Sequence, residues 1–328
     1  MQLAEKANGP IPRPVDYAYI WGDALPELER FRPDVRLINL ETSVTSSEEP
    51  WPKKGIHYRM HPANVPCLAA ARIDCCALAN NHVLDWGYEG LAETLATLAR
   101  AGLVAVGAGP DLAGAREAAA LPRAGGGRAV VFSLGMPSSG IPREWGAGDA
   151  KAGVNLLRRV SDETTAGIAQ QVAAYRRPGS VIVASTHWGS NWGYAVPPLH
   201  QELAHRLVDE AGVDVVHGHS SHHVKGIEVY RERLILYGCG DLLTDYEGIR
   251  GHEEFRGDLS LMYFAEVDAT TGHLRSLTMT PTQMRRFQVR RAGADDSAWL
   301  EATLNREGQH FNTRVQRDEE GRLHLQWR

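Results

Sequence analysis

The sequence predicts an α/β fold, and three observations carry that expectation. Short apolar runs bounded by polar residues alternate with helical patterns from about residue 34 to residue 226. Beyond Gly226 the alternation gives way to successive strand-like runs joined by tight turns. A chain of 328 residues, 43% apolar and 23% charged, can bury a large core.

Taken in order, DVRLINL (34–40) and IDCCALA (73–79) read as buried sheet strands. GYEGLAETLATLARAG places Leu91, Leu95 and Leu98 on one helical face and is stopped by Gly102. LVAVGA, AVVFSLG (129–135) and SVIVAST (180–186) are further strands, with a helix over about 161–176. PLHQELAHRLVDEAG is a helix leading into the strand VDVVHG. GIEVY, RLILYGCG, LSLMYFAEVD and HLRSLTMTP are expected to form one antiparallel meander, turning at 231–233 and 269–272. A helix from Asp295 and a hairpin turning at Glu320 and Gly321 complete the chain. The expected organisation is a lead-in over 1–33, a main domain over 34–290 and a C-terminal appendage over 291–328.

Several function classes are disfavoured. A net charge of −5 offers no global attraction for nucleic acid or an anionic membrane. No apolar run approaches the ~18 residues of a membrane span, and the N-terminal stretch has no signal-peptide core. Cys67, Cys75, Cys76 and Cys239 lack CxxC spacing and read as buried thiols, so a cytoplasmic location is expected. VGAGPDLAGA has Leu112 where a dinucleotide loop needs its third glycine. AGGGR precedes a strand rather than a helix, and no GxSxG elbow is present.

Chemistry-bearing residues gather at strand ends, where open α/β sheets collect ligands. Glu41 follows RLINL; Asn80, Asn81 and His82 follow CALA; His187 follows IVAST; His219 and His222 follow VDVVHG. Oxygen and imidazole donors without thiolate suit a catalytic Mn, Fe or Zn site. Each residue alone has a plain alternative, as a turn residue or a hydrogen-bonded core histidine. Their shared placement favours the metal reading. Asp85, one turn after His82, either orients that imidazole or caps the helix starting near Tyr88.

LINLETSVT, LANNHVLDWGYEG, STHWGSNWGY and VVHGHSSHHVKGIEVY resemble, in order and spacing, the motifs of bacterial capsule-synthesis proteins of the CapA (poly-gamma-glutamate cap) type, over about residues 34–285. That family belongs to the calcineurin-like metallophosphoesterases. The resemblance implies a two-sheet αββα sandwich with a dinuclear metal centre at the strand ends. By it, Glu41 corresponds to the metal-bridging carboxylate, Asn81 to the asparagine ligand and His187 to the next histidine ligand. His219 and His222 correspond to the closing pair, spaced one residue wider than in most of the superfamily. His82 corresponds to the histidine that protonates or polarises the leaving oxygen. His217 and His223 match no role and are expected to be supporting or solvated residues.

The family also uses an earlier strand ending in Gly-Asp, whose aspartate binds the first metal. Nothing before residue 34 reads as a strand. Gly22 and Asp23 precede a helical pattern, so Asp23 is expected to be a helix cap. The first strand is therefore expected to be missing from this sequence. Two divalent ions are expected if a longer N-terminus supplies that aspartate, and one otherwise. Trp86, Trp188 and Trp192 could wall a cleft, Lys225, Arg59 and His57 could meet an anionic substrate, and Asp241 could support a ligand. The expected function is a metal-dependent hydrolase acting on a phosphoester or an amide or polyglutamate-like substrate, small or polymeric, in capsule or poly-gamma-glutamate synthesis. A non-catalytic accessory or polymer-binding protein with a degenerate metal site is the alternative.

Overall fold

The computed structural model describes residues 2–247 and 249–327 and is mixed α/β, as expected. The chain divides into two units: unit 1 (Met1–Pro33, Asn191–Val196, His217–Arg328) and unit 2 (Asp34–Ser190, Pro197–Val216).

Unit 2 is built on parallel strands. Cys75–Ala77 lies between Leu37–Asn39 and Val104–Val106, with Asn39 opposite Ala77 and Ala77 opposite Val106. Both faces of the central strand are buried, which is why CCALA carries no polar alternation. In-register parallel strands end side by side, so the segments after Asn39 and Ala77 emerge together. A second set comprises Ala119–Pro122, Arg128–Gly135 and Ser180–His187, the last two parallel with His187 opposite Gly135. The sets share a core of Cys75, Ala77, Val106, Ala119, Leu121 and Val131, with Leu37 and Val183 against it. Gly135 makes their close approach possible: a β-carbon there would sit 2.5 Å from the Ala79 carbonyl oxygen. The strand carrying His187 thus ends close to the turn carrying Asn81.

Helix Gly87–Arg100 buries Leu91, Thr94, Thr97 and Leu98, leaves Leu95 half-buried, and is followed by Gly102 at φ +73°. Helix Asp162–Tyr175 is preceded by Ser161, whose hydroxyl accepts from the Thr164 amide in a reciprocal capping box.

Unit 1 is antiparallel. Leu259–Val267 pairs with Leu274–Arg285, which pairs in turn with Gln288–Arg291 and with Leu323–Trp327 of the C-terminal hairpin. The expected four-strand meander is corrected here. Ile227–Tyr230 and Arg233–Leu236 form their own hairpin, with Arg231 and Glu232 both at positive φ, and belong to a different sheet. The stretch between them and Leu259 contains glycines and short turns rather than a strand-length apolar run.

Among the described residues no strand precedes Leu37. Asp23 stands at the start of helix Ala24–Phe31, but its side chain makes no capping bond. With its backbone already helical, its carboxylate accepts instead from the Arg291 amide at 3.0 Å. Glu27 on that helix is buried and takes Arg322 through both oxygens (2.9 and 3.0 Å), with Thr280 at 2.7 Å. Burial pushes the Glu27 pKa up, but the bonds from Arg322 and Thr280 outweigh it and hold it below the usual value.

Candidate functional site

In unit 2 the site begins with a chain of amides at the paired strand ends. Buried Asn80 donates to the Leu40 carbonyl (2.9 Å) and to Asn39 Oδ1 (3.1 Å). Asn39 in turn donates to Glu41 Oε2 at 2.8 Å. These bonds fix Glu41 and leave its Oε1 3.7 Å from His187 Nε2. Asn81 Oδ1 lies 3.1 Å from the same nitrogen. Donors held at ~2.1 Å from one cation, with ligand angles between 90° and tetrahedral, stand about 3.0–3.4 Å apart. The carboxylate, carboxamide and imidazole of unit 2 therefore fit the edge of a cation shell, slightly open on the Glu41 side. Among the described residues, no group of three or more His, Cys, Asp and Glu side chains is gathered as a metal cage. The unit 2 set reaches three donors only through Asn81.

Beside these donors lies a sealed charge relay. Asp85 is fully buried, and its Oδ2 accepts from His82 Nδ1 (2.6 Å) and from the Tyr58 amide (2.6 Å). Of the two readings of Asp85, the structure has the histidine partner: the helix start at Gly87 is preceded by Trp86, without a side-chain cap. Lys54 Nζ stands 2.7 Å from Asp85 Oδ1, in charge contact rather than a directed hydrogen bond. It donates to the Ile56 carbonyl at 2.9 Å and lies 3.2 Å from His82 Nδ1. Nδ1 can give its proton only to Asp85, which fixes the tautomer with the proton on Nδ1. Tyr58 stacks on the imidazole face, ring centroids 4.0 Å apart.

The loop that brings Lys54 is pinned at its base by pairing of Ser43–Val44 with Arg59–Met60, and in its middle by the Trp51 amide on the Asp85 carbonyl (2.7 Å). Sequence reasoning missed Lys54, Tyr58 and the amide chain through Asn39. The one available signal was the dense cluster WPKKGIHYR ahead of the NNH turn.

In unit 1, His222 Nδ1 meets Asp241 Oδ2 at 2.7 Å, and the Tyr246 hydroxyl donates to the same oxygen at 2.6 Å. Asp241 does support a candidate ligand. His219 is the last residue of its strand, with the His217 ring 5.2 Å away. His217 keeps part of its surface open yet is crowded enough that burial lowers its pKa to about 4. His223 is not solvated: it is buried against Tyr194 and Phe255, bonds the Val224 carbonyl, and is lowered to about 4 by burial.

Lys225, one of the cations that could meet an anionic substrate, is enclosed. Its ammonium is buried, donates to the Ala195 carbonyl (2.8 Å), and has its pKa lowered to about 8 by burial, against the pull of Glu307. Arg59 lies over Trp86, 4.3 Å from the ring, and donates to Ser47, while His57 bonds the Trp51 carbonyl. Trp188 is buried against His200, and Trp192 stacks on His252. Burial raises the thiols, Cys67 to about 11 and Cys75 to about 12, so no thiolate competes as a ligand. No helix of the described residues is long and apolar enough to cross a membrane.

Comparison with known proteins agrees with this arrangement of motifs. The profile of the bacterial capsule synthesis protein family PGA_cap matches residues 1–246. A probable polyglutamine synthesis accessory protein of Mycobacterium tuberculosis is 49% identical over 96% of this chain and 83% of its own length. The PGA biosynthesis protein CapA of Bacillus subtilis is 26% identical over 58% of this chain and 48% of its own. The capsule biosynthesis protein CapA of Bacillus anthracis is 28% identical over 58% of this chain and 45% of its own. On the family match and the mycobacterial identity together, the chain belongs to the bacterial capsule synthesis protein family PGA_cap.

Proposed function

We propose that this protein is a divalent-metal-dependent hydrolase serving the synthesis of a glutamate-containing capsule polymer, and that it cleaves a phosphoester or an amide of a polyglutamate-like substrate. The observation that carries the reading is the convergence of Glu41, Asn81 and His187 beside the sealed His82–Asp85 pair. The polymer context is supported by the names of the mycobacterial and Bacillus relatives. In unit 2 the side chains that would hold an ion are Glu41, Asn81 and His187; in unit 1 the candidate ligands are His219 and His222. Mn, Fe or Zn bound by such donors supplies Lewis acidity and an activated water at neutral pH.

The chain's own groups do the rest. Asp85 keeps the His82 proton on Nδ1, so Nε2 can exchange a proton with the leaving oxygen or nitrogen. The Tyr58 amide and Lys54 hold Asp85 in place, and the Tyr58 ring covers one face of the imidazole. Asp241 orients His222 in the same manner.

The test is metal analysis after supplementation with Mn, Fe, Co or Zn, alongside turnover of p-nitrophenyl phosphate, its diester and a polyglutamyl amide. Bound metal and turnover that falls ~100-fold or more in His82→Ala are expected. Protein that retains no metal would overturn the reading. A second reading, a non-catalytic accessory protein, is favoured by the lack of a three-residue His, Cys, Asp and Glu cluster among the described residues. It predicts that wild type never exceeds the His82→Ala background.

A further inference from the structure

Unit 1 contains a cleft of roughly 480 Å³ between the 247–258 loop and the end of the strand Leu274–Arg285. Its lining is charged, with Glu247, Glu253 and Asp258 facing Arg250, Arg256 and Arg285. The acids are already engaged. Glu247 accepts from the Phe287 amide (2.7 Å) and Glu253 from the Gly251 amide (3.0 Å). Asp258 takes both arms of Arg256 (2.8 and 2.9 Å) and the Gln283 amide (3.0 Å), while Arg256 also reaches Asp296 (2.8 Å). Arg250 and Arg285 differ. Both are exposed, and among the described residues neither side chain makes a hydrogen bond or ion pair; Arg250 acts on Glu253 only through its field.

The result is a cleft with neutralised acids and two spare guanidinium groups, on a chain whose net charge is −5. Guanidinium forks match carboxylates in shape and charge. The wall continues toward a candidate ligand: His252 stacks on Trp192 at 4.3 Å, and Trp192 lies 5.3 Å from His222. Gly257 lets the loop close there, since a β-carbon would meet the His222 carbonyl oxygen at 3.2 Å. The geometry points to a groove that holds successive carboxylates of an acidic polymer on Arg250 and Arg285 and leads it past His222. This rests on the polymer-synthesis reading above and adds to it the groove and the two arginines that would hold the acidic chain.

The full-length chain is titrated into fluorescein-labelled poly-γ-glutamate and followed by anisotropy at two salt concentrations. Arg250→Ala and Arg285→Ala should each weaken binding about threefold, and the double variant about tenfold, with a shallower salt dependence. The thermal midpoint should not change, because both side chains are exposed. An uncharged, amidated oligomer should not bind. Binding by the double variant within twofold of wild type, equal binding of the uncharged oligomer, or tighter capture of polyphosphate through the same arginines would each overturn the assignment. Lack of metal would end the hydrolase reading and leave this result standing, whereas loss of arginine dependence would do the reverse.

Discussion

The two units each hold a histidine–carboxylate pair with the same bond and opposite surroundings. His82 meets Asp85 at 2.6 Å and His222 meets Asp241 at 2.7 Å, through Nδ1 in both. Asp85 is wholly buried and answered by a lysine, whereas the Asp241 side chain is 17% exposed and answered by a neutral phenol. The lysine of unit 1, Lys225, is more enclosed than Lys54 but rests on a carbonyl. What separates the two lysines is the partner each one meets, a carboxylate for Lys54 and a carbonyl for Lys225.

The sharpest way to break this comparison is to remove each carboxylate. Asp85→Ala strands the Lys54 charge and the Tyr58 amide and should cost about 3–5 kcal/mol in denaturant unfolding, while Asp241→Ala should cost about 1 kcal/mol. Equal losses would mean that the surroundings do not matter. The lysines come next and should move in opposite directions. Lys54→Met should destabilise by about 2 kcal/mol, and Lys225→Met should stabilise by about 1–2 kcal/mol, because it removes a desolvated charge held by one carbonyl.

The Lys225 effect carries a pH signature. A folded pKa of about 8, below the ordinary 10.5, means that the unfolded chain holds the proton more tightly than the folded one. The contribution of Lys225 to stability therefore rises as pH climbs from 8 to 10.5, and the advantage of Lys225→Met should shrink over that window. An advantage independent of pH would point to better side-chain contacts instead. The smallest expected change is Tyr246→Phe, about 1 kcal/mol or less, since Asp241 keeps its histidine and reaches water.

How much of this was legible in the sequence varied with how local the cause was. The helix Asp162–Tyr175 is written in Ser161 and its neighbours, and the parallel strands in uninterrupted apolar runs. Strand lengths were overread: DVRLINL supplies only Leu37–Asn39, with Arg36 and Leu40 adding backbone bonds at its ends. The meander failed because tight turns announce hairpins without saying which sheet each hairpin joins. The strand-end positions of Glu41, Asn81 and His187 were readable, since parallel strands in α/β sheets end on one side. Lys54 and Tyr246 were not. Both come from irregular loops, where no periodicity ties residue to place, and only the partner carboxylates explain their positions.

The Glu27–Arg322 bond joins residues 295 positions apart, and it sets an order of events on the ribosome. Every residue of unit 2 lies at or before Val216, so all of them have been made while the tail is still being translated. Unit 1 must hold its N-terminal helix in waiting until Leu323–Trp327 has emerged. A stalled or clipped message would thus leave unit 1 open, with the Glu27 carboxylate and the edge of Leu274–Arg285 exposed to chaperones and proteases.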